Sequence, residues 1–332
     1  MKSKSILGLC ALAALVLAAC SGPTSDQPAT DAKSGSEFKV ALLTPGPISD
    51  AGWCAMAYDG LKAIEKDLGA TVNTQEATGT KINDAMRSYA QEGYQLVIGH
   101  GFEYNEPGVA LAEQFPKTVF VSSSGGKTAT NAGAFRFYLE QGFYLAGIAA
   151  AKISKTGQLA MVGLDVPSSN STFKAFEAGA KDARPDIKVN TVTLSSGSDV
   201  AAAKLATLQA IRAGADVVIH QANAAAQGVF DACAQEKVSA IGANSDQNAN
   251  ASKAVICSAV IVAKPAFIAL AKKVKENQYK GEITLIGMKE GAIDFVINPN
   301  ANDKFPPELV KIINSKKADI LTAKFTVPKD DF

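Results

Sequence analysis

Short apolar runs alternate with helical stretches along most of this chain, and the alternation occurs twice. The first series is predicted to have strands at 39–44, 71–75, 96–99 and 118–122, with helices at 53–68, 82–92 and 108–115. The second series is predicted to have strands at 158–163, 188–194, 216–220 and 239–242, with helices at 171–183, 199–213 and 225–236. Short apolar strands separated by helices are typical of parallel sheets with helices on both faces. The pattern therefore predicts an α/β fold.

The two series suggest two similar lobes. Each contains a helix end, a glycine and then a buried strand, with Gly93 before the first such strand and Gly214 before the second. Strings of this kind are common in α/β proteins, so chance similarity remains an alternative. We expect lobe 1 at 38–152 and lobe 2 at 153–258. A later helix at 264–276 and strands at 282–286 and 295–297 are predicted to add to these lobes. We expect part of 259–298 to complete lobe 1 and the C-terminal segment to 332 to complete lobe 2.

The N-terminal segment has the layout of a secretory signal. Lys2 and Lys4 precede an apolar stretch over residues 6–19, which ends in small residues before Cys20. A cysteine at this point resembles a bacterial lipobox, which implies cleavage of the signal peptide 1–19 and lipidation of Cys20 by an acyl chain such as palmitate. A transmembrane anchor is the alternative, but the stretch is too short to span about 30 Å of hydrocarbon. Residues 20–37 lack large apolar side chains and are predicted to form a flexible tether.

Charge and cysteine content exclude several classes of function. The chain has 33 basic and 32 acidic residues, whereas a nucleic-acid partner usually requires a basic surface. Cys54, Cys233 and Cys257 remain after processing, and we expect them to be small buried residues, with a Cys233–Cys257 bridge left open. No Cys/His cluster suggests a metal, and no catalytic or cofactor-binding motif is complete, so we expect neither enzyme activity nor a cofactor.

The loops that follow the predicted strands carry mostly neutral polar and aromatic side chains. Ligands of open α/β sheets bind beyond the carboxyl ends of the strands. These loops read PGPISDAGW (45–53), HGFEY (100–104), DVPSSN (165–170), HQAN (220–223) and ANSDQN (243–248). Such a lining suits a small, flat ligand that forms hydrogen bonds, and it suits a polyphosphate poorly.

An ordered set of these segments resembles the Bmp (basic membrane protein) family, which includes PnrA-like purine nucleoside receptors. The set comprises DAGW (50–53) through YDG (58–60), GF (101–102), GFYLAG (142–147), GLDVP (163–167), FEAG (176–179), SDQ (245–247) and GMKEG (287–291). The resemblance implies a two-lobed periplasmic-binding-protein fold of type I, with lobes joined by hinge crossovers. It also implies delivery of a purine base or nucleoside to an ABC permease by a monomer tethered outside the cytoplasm.

The strand-end loops and the resemblance together suggest roles for individual residues. Trp53 and Tyr58 are expected to stack on the ligand, and hydrogen bonds are expected from Asp50, Asn170 and Asp246. Four further residues are expected to line the cleft between the lobes: His100, Phe102, His220 and Asn223. Ser124 and Ile261 stand where nucleoside receptors often have Asp and Lys, so a free base or another flat heterocycle is as plausible as a nucleoside. A sensor domain for a signalling partner, a nucleoside hydrolase and an adhesin are the alternatives.

Overall fold

The structure is a computed structural model that describes residues 37–331, except for residues 51 and 251. The predicted signal peptide, the lipidation site Cys20 and the tether up to residue 36 lie outside the described residues. Within the described part of the chain, no helix is both long enough and apolar enough to cross a membrane.

The described residues form strands and helices that mostly alternate, as the sequence predicts, with additional elements at Ala132–Phe137, Glu140–Ile153, Val255–Ile261 and Pro307–Leu321. The strands are β1 (Lys39–Thr44), β2 (Thr71–Glu76), β3 (Leu96–Gly99), β4 (Val119–Ser122), β5 (Ala132–Phe137), β6 (Gln158–Leu164), β7 (Lys188–Leu194), β8 (Val217–Gln221), β9 (Ser239–Asn244), β10 (Val255–Ile261), β11 (Ile283–Ile286) and β12 (Ile293–Ile297). The helices are α1 (Trp53–Leu68), α2 (Lys81–Gln91), α3 (Asn105–Ala112), α4 (Glu140–Ile153), α5 (Pro167–Ala183), α6 (Val200–Arg212), α7 (Ala226–Glu236), α8 (Ala263–Lys275) and α9 (Pro307–Leu321).

The strands make two six-stranded sheets. The first has the order β11-β5-β4-β3-β1-β2 with every pair parallel, and the second has the order β12-β10-β9-β8-β6-β7 with only the β10–β12 pair antiparallel. The central strands β3 and β8 are buried throughout, whereas the edge strand β2 alternates and is largely exposed. The continuous apolar runs therefore mark strands covered on both faces. The prediction of two mostly parallel α/β sheets is confirmed.

Three crossovers carry the chain between the two sheets. They lie between β5 and β6, between β10 and β11, and between β11 and β12. Backbone hydrogen bonds hold them side by side, with the Tyr138 N–H donating to the Ile286 oxygen at 2.8 Å and the Val262 N–H donating to the Ala292 oxygen at 2.8 Å. The Met288 N–H also donates to Gln141 Oε1 at 2.7 Å. The crossovers thus lie together in one region, although they are far apart in the sequence.

Helices α4 and α5 are in backbone contact. A Cβ atom added at Gly147 would lie 2.0 Å from the Phe176 oxygen, and one added at Gly179 would lie 2.0 Å from the Tyr144 oxygen. Only glycine permits this approach at either position. Helix α4 is buried around most of its circumference. Because it presents no polar stripe, its sequence lacks the amphipathic period by which helices are recognised, and sequence reasoning missed it.

The C-terminal segment 327–331 lies across the first crossover. Arg136 Nη1 in β5 donates to the Asp330 oxygen at 2.5 Å, and the Asp330 N–H donates to Ser171 Oγ in α5 at 2.9 Å. Arg136 also forms a buried ion pair with Glu140 at the start of α4. Burial raises the pKa of the Glu140 carboxyl, and the Arg136 guanidinium opposes that shift. This segment therefore ties a strand of the first sheet to a helix beside the second.

Candidate ligand-binding site

The structure places the predicted site residues in two groups at the carboxyl ends of the strands. Group 1 follows β1, β3 and β4 of the first sheet, and group 2 follows β6, β8 and β9 of the second. Within each sheet these strands are parallel neighbours, so their loops meet at one edge.

Trp53 and His100 form the centre of group 1. Their rings stack with centroids 3.9 Å apart and planes inclined by 22°. Trp53 Nε1–H donates to the His100 oxygen at 3.3 Å, and His100 Nε2–H donates to the Trp53 oxygen at 3.0 Å. Ser123 therefore donates its hydroxyl proton to His100 Nδ1, at 2.8 Å. The half-buried indole is fixed on one face by His100 and at its N–H, and it also packs against the hydrophobic core.

Burial keeps His100 neutral. It lowers the pKa of the imidazole to about 3, because the charged form would lose its hydration. The hydrogen bonds described above match the neutral Nε2–H tautomer, with one nitrogen donating and the other accepting. His100 thus acts as a rigid support for the indole rather than as a charged group.

Asp50 caps the N-terminus of α1. Its Oδ1 accepts from the N–H groups of Gly52 and Ala55, both at 2.9 Å, and its Oδ2 accepts from the Cys54 N–H at 2.9 Å. These are donors that a helix start leaves without a partner inside the helix. The carboxylate accordingly orders the loop that presents Trp53, whatever further contact it makes with a ligand.

Phe102 and Glu103 begin a single 3-10 turn, Phe102–Tyr104, after β3. Phe102 is 59% exposed, so most of its side chain faces solvent. The carboxylate of Glu103 folds over Gly101, where an added Cβ would lie 2.2 Å from Oε2. Burial raises the pKa of this carboxyl. Tyr58, on α1, is half-buried and packs against the hydrophobic core.

Ser124 lies after β4 in a strained backbone conformation. Its φ is +143°, and its buried hydroxyl has no hydrogen-bond partner in the described part of the chain. The turn is held by Asn105, which accepts from the Lys127 N–H at 2.9 Å and donates to the Lys127 oxygen at 3.1 Å. Strain and unpaired buried polar atoms of this kind concentrate at functional sites. The strain depends on tertiary packing, so no sequence pattern indicated it.

His220 is the counterpart of His100 in group 2. Its Nε2–H donates to Gln247 Oε1 at 2.9 Å, and its Nδ1 accepts from the Ala222 N–H at 3.3 Å. Burial lowers its pKa to about 4, so it is also neutral. Gln247 Oε1 accepts a second hydrogen bond from the Ala243 N–H at 2.9 Å. This glutamine, which sequence reasoning did not select, joins the ends of β8 and β9.

A chain of buried side-chain amides continues group 2. Asn244 Nδ2 donates to Gln221 Oε1 at 3.1 Å, and Gln221 Nε2 donates to Thr172 Oγ1 at 3.4 Å. Asn244 has a φ of +69°, a conformation that asparagine tolerates better than most residues. The loops containing Gln221 and Asn244 were identified from sequence, but these two side chains were not selected.

Three predicted residues lie nearer the surface of group 2. Asn170 is half-buried on α5 and donates to Asp165 Oδ1 at 2.8 Å. Asn223 is half-buried, with a φ of +47°, and begins the turn Asn223–Ala225. Asp246 is exposed and accepts from the Asn248 N–H at 3.0 Å.

Comparison with known families decides the class of the protein. Residues 38–331 match Bmp, described as ABC transporter substrate-binding protein PnrA-like. The chain belongs to this family. Members bind a small-molecule substrate and deliver it to a permease outside the cytoplasm, and they are not enzymes. The predicted family is confirmed.

Individual relatives agree with this assignment. A purine-binding protein of Brucella abortus is 27% identical over 305 residues, covering 90% of this chain and 85% of the relative. The ABC transporter nucleoside-binding protein BmpA of Lactococcus lactis is 28% identical over 352 residues, covering 98% and 99%. An ABC-transporter solute-binding protein of Aeropyrum pernix superposes with a TM-score of 0.78 at 19% identity, covering 88% and 94%. The structural likeness confirms the type I periplasmic-binding-protein fold.

Proposed function

We propose that this protein binds a purine base or nucleoside between its two lobes and passes it to an ABC permease. The observation that carries the proposal is the half-buried indole of Trp53, held in place by its stack on His100. Such a fixed aromatic surface suits a flat heterocycle. The names of the Brucella and Lactococcus relatives support the same ligand class.

The uncharged polar side chains of both groups support a neutral ligand. Group 2 offers amide and hydroxyl groups from Thr172, Gln221 and Asn244, which suit the ring nitrogens and exocyclic groups of a base. Group 1 offers the aromatic rings of Trp53 and Phe102. In this proposal the two groups face each other across the cleft, and closure at the crossovers encloses the ligand.

The proposal includes the lobe assignment and the membrane anchor. The placement of β11 in the first sheet and of β12 in the second supports lobes of 38–152 and 153–258, completed by the later segments. A monomer anchored through lipid on Cys20 fits the signal-like N-terminus. Replacing Cys20 by Ala should move the protein from the membrane fraction to the soluble fraction, and size-exclusion chromatography with light scattering should give the monomer mass.

Ligand binding is tested by fluorescence, since Trp53 is the only tryptophan in the chain. Protein without residues 1–20 is titrated with adenine, hypoxanthine, adenosine and inosine, with ribose and leucine as controls. We expect purines to change the emission and to raise the melting temperature. A ligand at 100 times its Kd adds about 2.7 kcal/mol of stability. A response to ribose or leucine alone would refute the purine assignment.

A matched pair of variants locates the binding surface. Trp53→Phe keeps an aromatic ring, whereas Trp53→Ala removes it. If the ligand stacks on this ring, calorimetry should show Trp53→Ala binding at least tenfold more weakly than wild type, with Trp53→Phe in between. Equal affinity of all three proteins would place the ligand elsewhere.

A further inference from the structure

Glu103 is held in a fixed position at the carboxyl end of β3. The next residue, Tyr104, is buried and donates its hydroxyl proton to the Ala77 oxygen at 2.6 Å, and its ring packs on Gly99. On the other side, Gly101 has no side chain, and the Glu103 carboxylate occupies that space. The two glycines and the anchored tyrosine therefore determine where this carboxylate lies.

The Glu103 carboxylate is without a side-chain partner among the described residues. The hydrogen bonds and ion pairs of residues 37–331 include no other side chain that contacts it, and the shift of its pKa arises from burial opposed only by its own backbone N–H. Glu106, three residues later, differs in both respects because it is exposed and pairs with Lys127 at 2.5 Å. Partial burial disfavours the charged form of this carboxylate, and hydrogen-bond donors on a bound ligand would stabilise that form.

We propose that Glu103 accepts a hydrogen bond from an N–H group of the bound heterocycle and thereby selects ligands with a donating edge. This inference rests on the proposed function. Phe102, directly before it, exposes its ring. His100 directly follows β3 and stacks on Trp53, which follows the neighbouring strand β1. A flat ligand against these rings would bring its edge to the carboxylate. Free purine bases carry a ring N–H on their five-membered ring that nucleosides lack, so this contact would favour the free base.

Glu103→Gln tests the inference, with Glu106→Gln as the matched control. Each variant removes one negative charge with little change of shape, but only the first removes the unpaired carboxylate. Isothermal titration with adenine and hypoxanthine should show affinity about tenfold lower or more for Glu103→Gln, because hydrogen bonds to a charged acceptor are the stronger ones. Glu106→Gln should remain within twofold of wild type.

A stability measurement separates ligand contact from a structural role. Without ligand, Glu103→Gln should melt at or above the wild-type temperature, since it removes a charge that the fold does not pair. Weaker binding together with a lower melting temperature would assign Glu103 a structural role and overturn the inference. Unchanged affinity would overturn it and leave the proposed function standing, whereas a wild-type protein that binds no purine would overturn both.

Discussion

Acidification should destabilise this protein through its two histidines. His100 and His220 are the only histidines in the chain, and burial lowers their pKa values to about 3 and about 4 from an ordinary value of 6.5. Below pH 6.5 the unfolded chain binds protons at both sites while the folded protein does not. The stability that both neutral imidazoles contribute is therefore fully present above pH 6.5 and is lost as the pH falls toward their folded pKa values.

The size of the effect follows from proton linkage. Between pH 6.5 and about 4, each histidine lowers the free energy of unfolding by about 1.4 kcal/mol per pH unit. At pH 5 this amounts to about 2 kcal/mol for each site and about 4 kcal/mol for the pair. Glu103 and Glu140 oppose this loss, because a raised carboxyl pKa favours the folded state as the pH falls.

Urea denaturation at pH 7, 6, 5.5 and 5 measures the loss. The control is the double variant His100→Gln and His220→Gln, whose amide nitrogens can replace Nε2–H as donors to the Trp53 oxygen and to Gln247 Oε1. Carboxylates titrate in both proteins, so the difference between the two pH profiles isolates the histidines. We expect the profiles to diverge by about 4 kcal/mol at pH 5. Parallel profiles would show that both imidazoles bind protons as readily in the folded protein as in the unfolded chain and would refute the reasoning, whereas a divergence of about 2 kcal/mol would leave it standing for one site only.

Three further substitutions test local features by chemical denaturation. Asp50→Ala removes the cap of α1 and should lower the free energy of unfolding by about 1–2 kcal/mol. An unchanged free energy of unfolding would mean that water replaces the carboxylate. Gly147→Ala puts a methyl group 2.0 Å from the Phe176 oxygen and should lower the free energy of unfolding by more than about 3 kcal/mol. The control Gly126→Ala, with open space around the added methyl group, should leave the free energy of unfolding nearly unchanged. Ser124→Gly relieves the strain at φ +143° and should stabilise the protein by about 1 kcal/mol; a loss would show that the serine side chain supports the fold.

The elements with strong local signals were predicted from sequence with accurate bounds. Strands β1, β3 and β7 and helix α1 match the structure residue for residue, and α1 ends at Gly69 in the left-handed conformation that the glycine suggested. Four elements were missed: β5, β10, α4 and α9. Strand β10 and most of α4 are buried on all sides, so their sequences carry neither alternation nor an amphipathic stripe. Whether such a segment forms a strand or a helix depends on the residues that pack around it, which come from distant parts of the chain.

The candidate site was proposed from sequence as a set of loops, but the contacts within those loops could not be predicted. The rule that ligands bind beyond strand ends pointed to the segments that hold Trp53, Phe102 and Asn223. It could not show that His100 supports the indole or that Ser124 is strained, since both depend on packing between segments far apart in sequence. The sequence also cannot show that the Glu103 carboxylate is without a side-chain partner among the described residues, because such contacts are determined by the folded chain.

The glycine contact between α4 and α5 determines which parts of the molecule can move. Because the backbones of α4 and α5 touch at Gly147 and Gly179 with no side chain between them, sliding one helix along the other would force main-chain atoms together. We therefore expect helix α4, which lies within the first crossover, to move together with α5. Torsion would be confined to the few peptide units on either side of Tyr138, Val262 and Met288. An isotope label or paramagnetic probe at those positions would report the motion most directly.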